Sequence, residues 1–262
     1  VGAMPSRSPS SASDSPDSHG PSTIPEEMSQ SDLPSKIAVI GAGTMGNGIA
    51  QVFASCGSEV TLVDLDAAAL DRGVGAIEKS LARVVKKERM TQEDADAALA
   101  RISKCTSLGE LTDRELVVEA VSERFEVKSS VFKTLDEVTP PECILATNTS
   151  SISITELAAV TGRAERVIGM HFMNPVPVMK LVEVIRGHET SDEITDQVMR
   201  ASRALGKEPV EANDYPGFVS NRVLMPMINE AVFCLMEGVA TREGIDTVMT
   251  VSYTHSDAAD EV

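Results

Sequence analysis

The chain has 262 residues, a formal net charge of −17 and few aromatic residues, with no Trp, two Tyr and six Phe. This length suits one large domain with part of a second, and the strong negative charge argues against nucleic acid or an anionic membrane surface as a partner. The four cysteines stand far apart without a CxxC pair. Their spacing favours neither a zinc site nor a disulfide framework and fits a reducing, cytoplasmic compartment. No apolar run is long enough to span a bilayer.

The first 35 residues differ in composition from the rest of the chain. Residues 1–35 are rich in Ser and Pro and show no apolar periodicity, so we predict a disordered tail. The tail contains one Arg and several acidic residues, unlike a mitochondrial presequence, and it lacks the apolar core of a secretory signal.

A glycine motif follows directly after the first apolar strand. The segment 36–40, KIAVI, has the short apolar run of a parallel strand that is covered on both faces. It leads into Gly41-x-Gly43-x-x-Gly46. In dinucleotide-binding folds the first glycine permits a tight turn, the second lets the backbone approach a pyrophosphate, and the third lets the helix pack closely on the strand.

The residues after the glycine motif agree with this interpretation. A helix from about Thr44 would direct its free N–H groups and its positive dipole end at the pyrophosphate. A second strand at 59–63 ends in Asp64, which is placed to accept hydrogen bonds from an adenosine ribose. A carboxylate there would repel a ribose 2′-phosphate. The segment therefore predicts a dinucleotide site that prefers NAD over NADP.

The rest of the chain alternates helices and strands and then becomes purely helical from Pro216. We predict an α/β fold, a Rossmann-type doubly wound, mostly parallel sheet with one antiparallel strand pair, followed by an incomplete all-helical C-terminal domain. The predicted domains are 36–213 for the NAD-binding domain, 214–249 for the partial helical domain and 250–262 for a non-matching tail. The further elements predicted in the first domain are a helical region at 67–108 with a turn near 90–91, a strand at 115–120, a helix at 125–138, a strand at 144–147, a helix at 153–160, strands at 166–172 and 180–185, a helix at 192–205 and a strand near 209–211.

The antiparallel pair places two polar residues opposite each other. The connection between strands 166–172 and 180–185 is too short for a crossover helix, so the strands should be antiparallel. Pairing symmetric about Pro177 puts His171 opposite Glu183, with Cβ atoms about 5 Å apart. Both residues interrupt apolar strands, and each is the other's obvious partner. Such a pair is either a structural ion pair or a catalytic dyad; the structural pair is commoner in isolation, whereas a neighbouring nicotinamide site favours the dyad.

Three further motifs carry a resemblance to a known family. They are NTSS at 148–151, HFMNPVPVMKLVEVI at 171–185 and PGFVSNR at 216–222. With the glycine motif, they resemble the L-3-hydroxyacyl-CoA dehydrogenases, especially the short-chain, 3-hydroxybutyryl-CoA type, over residues 36–249. The resemblance implies NAD-dependent oxidation of an L-3-hydroxyacyl-CoA to a 3-ketoacyl-CoA by hydride transfer.

The resemblance also implies roles for individual residues. His171 would be the general base and Glu183 would orient it, while Ser150 and Asn221 would hydrogen-bond substrate oxygens. The cofactor contacts implied in this way are Gly41, Ala42, Gly43, Thr44, Met45, Gly46, Asp64, Glu123, Lys128, Ser150 and Asn174. The implied contacts to the coenzyme A substrate are Ser80, Lys87 and Ser150.

Some of these residues have a plainer interpretation without the resemblance. Ser150 alone could cap the end of a strand, and Lys128 alone would be taken for an ordinary surface charge. A basic island surrounds Lys87 in this acidic chain and would suit the phosphates of coenzyme A, although it could also be a solvated helix face. The island consists of Arg83, Lys86, Lys87 and Arg89.

The resemblance stops near Met249, so a truncated or foreign tail is expected after it. The family forms homodimers, which we regard as doubtful for this chain, and we expect NADH binding with weak or no turnover. Two alternatives stay open: the same fold acting on a small hydroxy acid, as gulonate-type relatives do, or an inactive NAD-binding fragment. The helix predicted at 221–237 should leave an apolar face exposed, formed by Val223, Leu224, Met227, Ile228, Ala231, Val232 and Leu235.

Overall fold

The computed structural model describes residues 32–253, so most of the predicted N-terminal tail and residues 254–262 lie outside the described part. An eight-stranded sheet with helices on both faces is followed by two further helices. The strands are β1 (Lys36–Ile40), β2 (Glu59–Val63), β3 (Ile102–Cys105), β4 (Leu116–Glu119), β5 (Ile144–Thr147), β6 (Val167–Phe172), β7 (Leu181–Arg186) and β8 (Glu208–Asn213). The α-helices are α1 (Thr44–Ser55), α2 (Ala67–Lys86), α3 (Gln92–Ala100), α4 (Phe125–Val138), α5 (Ile154–Ala158), α6 (Asp192–Ala204), α7 (Ser220–Met236) and α8 (Arg242–Tyr253).

The strand order is β3-β2-β1-β4-β5-β6-β7-β8, and neighbouring strands are parallel except for β6 and β7. This confirms the predicted Rossmann-type sheet with one antiparallel pair. The chain leaves β1 toward β2 on one side and returns to β4 on the other. The carboxyl ends of β1 and β4 therefore flank the topological switch point at which doubly wound sheets bind ligands.

Alternating residues of the central strand β1 face two separate core layers. Ile37 and Val39 pack into the layer that contains the fully buried Phe53 of α1. Ala38 and Ile40 pack into the other layer, with the fully buried Phe132 of α4. Because both faces of β1 are covered by helices, the strand can be apolar without alternation, as the sequence indicated.

One predicted boundary was wrong. The helical region predicted at 67–108 divides into α2 and α3 around Thr91, as expected, but residues 102–105 form the edge strand β3 on β2. Only Ile102 and Cys105 of this strand are turned away from solvent, and the two residues between them are exposed. An edge strand of four residues has too few apolar positions for a period-2 pattern to be visible in the sequence.

The helical pair at the end of the described region differs from the sheet domain. No residue of α7 is buried, and Val223, Ile228 and Val232 are each about half exposed or more. The predicted exposure of the apolar face is confirmed for five of its seven residues, whereas Met227 and Ala231 are half-buried. Helix α8 continues to Tyr253, past the boundary predicted at Met249. None of the helices in the described part of the chain is long and apolar enough to cross a membrane.

Candidate active site

The turn between β1 and α1 shows which glycines the fold itself requires. Gly41 has φ of +102°, and a Cβ there would lie 2.7 Å from the carbonyl oxygen of Ala120. A Cβ on Gly46 would lie 1.7 Å from the carbonyl oxygen of Gly41. Gly43 is different, because it is exposed and a Cβ there would meet nothing within 4 Å. Packing inside the protein thus explains two glycines, while the third leaves open space for a group approaching from outside.

The start of α1 is arranged to receive an anion. Gly43 is its N-cap residue and provides no side-chain cap, and the first turn, which begins at Thr44, carries no acidic residue. The first N–H groups of a helix lack partners within the helix, and the positive end of the dipole lies at the same place. A cofactor pyrophosphate fits this backbone.

Asp64 holds the glycine turn in place. Its Oδ2 accepts a hydrogen bond from the backbone N–H of Ala42 at 2.9 Å, and its Oδ1 accepts one from Asp66 at 3.0 Å. Each carboxylate oxygen can accept a second hydrogen bond, so ribose hydroxyls can still bind this half-buried side chain. Sequence reasoning assigned Asp64 to the ribose but missed its support of the turn.

A cavity of about 330 Å³ lies beside α1 at the carboxyl ends of β4, β5 and β6. It brings together six of the residues predicted at the site: Met45, Glu123, Lys128, Ser150, His171 and Asn174. Larger cavities of about 450 Å³ lie near Arg114 and near Arg186, and none of the predicted site residues lines them. We therefore place the candidate active site in the smaller cavity.

His171 and Glu183 are paired as the strand register predicts. They are direct partners across β6 and β7, and His171 Nδ1 lies 2.8 Å from Glu183 Oε2. Both residues are buried. The imidazole also packs against Phe218, whose ring centroid is 5.8 Å away. The pair therefore has a fixed geometry, with the imidazole at the cavity wall.

The Glu183 carboxylate also binds the start of α7. Its Oε1 accepts hydrogen bonds from the backbone N–H groups of Val219 at 3.0 Å and Ser220 at 2.8 Å, and its Oε2 accepts one from Ser220 Oγ at 2.8 Å. Val219, the N-cap residue, provides no side-chain cap of its own. A residue from β7 therefore caps α7 and links the sheet domain to the helical pair.

These hydrogen bonds determine the ionisation of Glu183 and the tautomer of His171. Burial alone would raise the pKa of Glu183, but the hydrogen bonds from His171 and Ser220 outweigh it and lower the pKa to about 2. An ionised carboxylate only accepts hydrogen bonds, so Nδ1 of His171 carries the proton. In the neutral imidazole Nε2 then has a free lone pair.

Lys128 is not the surface charge that its sequence context suggested. Its side chain is 1% exposed, and Nζ lies 2.8 and 3.0 Å from the two carboxylate oxygens of Glu119 and 3.2 Å from Glu123 Oε2. Sequence reasoning missed Glu119 altogether. The available signal was an acid at the end of the apolar strand β4, beside the switch point.

Glu123 fixes the segment that contains Ser150. Its Oε1 accepts hydrogen bonds from the Ser150 backbone N–H at 2.9 Å, from Ser150 Oγ at 3.3 Å and from the Thr149 hydroxyl. Burial alone would raise the pKa of Glu123, but the hydrogen bonds from Thr149 and Ser150, together with Lys128, outweigh it and lower the pKa. Asn221 Nδ2 lies 3.4 Å from the Ser150 carbonyl oxygen. The predicted pair Ser150 and Asn221 is thus adjacent.

The predicted coenzyme A residues lie outside the cavity. Ser80 is half-buried on α2, and Lys87 is the exposed C-cap residue of that helix. Neither residue lines the cavity of about 330 Å³. The rest of the basic island is exposed as well, so it remains a predicted surface for a long substrate that extends beyond the cavity.

Two models of one protein family match the chain. Residues 36–215 match the family model described as 3-hydroxyacyl-CoA dehydrogenase, NAD binding domain, and residues 217–256 match the model of the C-terminal domain of the same family. The second match extends past the limit that the sequence motifs indicated at Met249.

Individual relatives cover most of the chain. The probable 3-hydroxybutyryl-CoA dehydrogenase of Bacillus subtilis is 52% identical over 220 residues, covering 84% of this chain and 77% of that protein. The 3-hydroxybutyryl-CoA dehydrogenase of Clostridioides difficile is 47% identical over 220 residues, covering 84% and 78%. The crystal structure of (S)-3-hydroxybutyryl-CoA dehydrogenase from Ralstonia eutropha matches with a TM-score of 0.82 and 49% identity, covering 85% of this chain and 78% of that one. The chain therefore belongs to the 3-hydroxyacyl-CoA dehydrogenase family and is an NAD-dependent oxidoreductase.

Proposed function

We propose that the chain oxidises short-chain L-3-hydroxyacyl-CoA, such as 3-hydroxybutyryl-CoA, to the 3-ketoacyl-CoA, with His171 and Glu183 as the catalytic dyad. The observation that carries this proposal is the 2.8 Å contact between His171 Nδ1 and Glu183 Oε2. This contact lies at the wall of a cavity beside the glycine turn between β1 and α1, which we call the cofactor turn. The short-chain preference is supported by the similarity to proteins named 3-hydroxybutyryl-CoA dehydrogenase.

The dyad accounts for the proton in this reaction. Nε2 of neutral His171 accepts the proton of the substrate hydroxyl group as the bond from oxygen to hydrogen breaks. NAD, held at the turn between β1 and α1 and at Asp64, would supply the acceptor for the hydride that leaves carbon 3. The imidazole becomes a cation, which the ionised Glu183 stabilises through Nδ1. In the reduction of a 3-ketoacyl-CoA, Nε2 returns the proton to the carbonyl oxygen.

Ser150 and Asn221 are the residues we assign to the substrate oxygens. Ser150 lines the cavity with His171, and Asn221 contacts the Ser150 backbone from α7. The second N–H of the Asn221 amide, and the Ser150 hydroxyl once it turns away from Glu123, can donate hydrogen bonds to an oxygen that gains negative charge. Because Asn221 belongs to the helical pair, the substrate site needs both regions of the chain.

The substrate class can be tested by a side-by-side assay. NADH oxidation should be followed with acetoacetyl-CoA, with free acetoacetate and, in the reverse direction, with NAD and small hydroxy acids. We expect the weak turnover of this chain to be highest with acetoacetyl-CoA and much lower with every free acid. A preference for a free acid would instead support the gulonate-type alternative and contradict the proposal.

The coenzyme A surface can be tested in the same assay. Lys87→Ala should raise KM for acetoacetyl-CoA and leave kcat unchanged, because an exposed lysine contributes binding to a phosphate but takes no part in the chemistry. Lys133→Ala is the matched control, since Lys133 is an exposed lysine on α4. Equal KM values in the two variants would remove Lys87 from the substrate site.

A further inference from the structure

Glu119 is a buried acid at the switch point of the sheet, with no role assigned above. It is 0% exposed and pairs in register with Ile40 of β1 and Thr147 of β5. The next residue, Ala120, donates a backbone hydrogen bond to Ile40 and lies against Gly41. Glu119 therefore ends β4 beside the turn between β1 and α1, and the two residues that follow it line the cavity.

Four hydrogen bonds hold this carboxylate. Its Oε1 accepts from Lys128 Nζ at 2.8 Å and from the Val121 backbone N–H at 2.7 Å. Its Oε2 accepts from Lys128 Nζ at 3.0 Å and from Thr147 Oγ1 at 2.7 Å. Lys128 lies on α4, Thr147 ends β5 and Val121 follows β4 by two residues, so the four hydrogen bonds hold Glu119 in one orientation.

Two branches lead from Glu119 to the segment that contains Ser150. The first branch passes through Lys128, whose Nζ lies 3.2 Å from Glu123 Oε2. The second passes through Thr147 Oγ1, which accepts the backbone N–H of Thr149 at 3.2 Å, and the Thr149 hydroxyl donates to Glu123. The branches form a closed ring, and Glu123 in turn binds the backbone and side chain of Ser150.

We propose that Glu119 is a positioning residue for the active site: it holds Lys128 and Thr147, and through them it fixes Glu123 and Ser150 at the cavity. A buried ion pair is a poor source of stability, since apolar residues of similar volume often serve as well. Orientation of the cavity wall gives this pair a function that apolar residues could not replace. The proposal rests on the proposed function for the role of Ser150, but the ring itself belongs to the folded chain alone.

The test compares Glu119→Gln with a half-buried, hydrogen-bonded carboxylate that does not line the cavity. Asp136 is suited as the control, because it accepts from Arg163 Nε at 2.7 Å and from the Gly162 backbone N–H at 2.7 Å, with its side chain 23% exposed. Asp136→Asn and Glu119→Gln should both lower the free energy of unfolding. Thr147→Val is a milder second variant, because it keeps the ion pair and breaks only the second branch.

Two readouts avoid turnover: hydrogen exchange of the backbone N–H groups of residues 149–152 in the protein without cofactor, and the Kd for NADH. We expect Glu119→Gln to lose protection in this segment beyond its global loss of stability, and to bind NADH about tenfold more weakly. Thr147→Val should show the same local loss with a roughly threefold weaker Kd. Asp136→Asn should show neither effect.

The proposal is overturned if Glu119→Gln keeps normal local protection and a Kd for NADH within twofold of the unchanged chain. If Glu119→Gln does not fold, Thr147→Val decides by the same two readouts. Because the exchange measurement contains neither cofactor nor substrate, a wrong substrate class would leave its result unchanged. The failure of this proposal can therefore be distinguished from a failure of the proposed function.

Discussion

The sheet domain and the helical pair differ in the side chains that they bury and expose. In the sheet domain, Glu119 and Lys128 are almost completely buried and fully hydrogen-bonded. In α7, by contrast, Ile228 and Val232 are about half exposed and no residue is buried. The difference shows that the sheet domain has its own core and can bury a charged pair, whereas α7 buries none of its residues within the described part of the chain.

The two regions meet at the proposed catalytic dyad. Glu183 orients His171 with one oxygen and caps α7 with both, and Phe218 packs on the imidazole. The base is therefore held from the sheet side and from the helix side. Cofactor binding should depend on the sheet domain, whereas the chemistry should depend on the junction.

The largest expected effect is a loss of hydride transfer without a loss of NADH binding when His171 is replaced. His171→Gln should lower the rate of hydride transfer by about 10²- to 10⁴-fold, which is the usual contribution of a positioned base. The Kd for NADH should change little, because the cofactor turn belongs to β1 and α1. Single-turnover NADH oxidation with acetoacetyl-CoA, with protein in excess, measures this even when turnover is slow.

His188→Gln provides the control for that experiment. The side chain of His188 is 81% exposed and does not line the catalytic cavity. Its replacement should leave the rate and the Kd unchanged. A near-native rate in His171→Gln would remove the dyad from the account.

The junction should also make stability depend on pH. The pKa of Glu183 in the folded chain, about 2, lies below its ordinary value of 4.5. The carboxylate therefore contributes stability above about pH 4.5, roughly 3 kcal/mol, and loses it as the pH falls toward 2. Glu183→Gln should lower the free energy of unfolding at pH 7. It should also reduce the loss of stability between pH 4.5 and pH 2. Urea unfolding between pH 7 and pH 3.5 measures both effects.

Glu208→Gln is the corresponding control, because Glu208 is a 70% exposed carboxylate in an ion pair with Lys180. Exposed ion pairs contribute little to stability. The free energy of unfolding of this variant should therefore fall with decreasing pH as it does in the unchanged chain. If Glu183→Gln showed the same pH dependence of unfolding as the unchanged chain, the Glu183 carboxylate would not stabilise the contact between β7 and α7.

A smaller effect is expected for cofactor choice within the sheet domain. Asp64→Ala should reduce the preference for NADH over NADPH by at least about tenfold, since hydrogen bonds to a charged group are lost and the repulsion of a 2′-phosphate disappears. Because Asp64 also holds Ala42, the substitution should weaken NADH binding itself. Asp64→Asn keeps an acceptor for the turn and separates the two effects in fluorescence titrations. An unchanged ratio of Kd values would contradict the assignment.

The smallest effect concerns the exposed face of α7. We expect concentration-dependent association without a discrete family-type dimer, together with weak turnover, because contiguous apolar surface promotes self-contact. Ile228→Gln with Val232→Gln should reduce association in sedimentation velocity and leave the Kd for NADH unchanged. Asn229→Gln is the control on the same helix. A discrete dimer with full turnover would show that α7 is adequately packed.

Local patterns in the sequence predicted the sheet and half of the site. The glycine turn and Asp64 follow from a short sequence motif. The pairing of His171 with Glu183 follows from the short connection between β6 and β7, which leaves one symmetric register. Tertiary neighbours determined the rest. The burial of Lys128 depends on Glu119 from another element, and the capping of α7 by Glu183 joins residues that no sequence pattern connects.

The proposed dyad requires one particular tautomer of His171, which can be measured. The chain has four histidines, so comparing ¹⁵N-coupled NMR spectra of the chain and of His171→Gln identifies the His171 ring. At a pH where the imidazole is neutral, we expect the proton to reside on Nδ1, hydrogen-bonded to Glu183, and Nε2 to be unprotonated. A proton on Nε2 in all or a large fraction of the molecules would contradict the proposed dyad, because the nitrogen needed to accept the substrate proton would then be occupied.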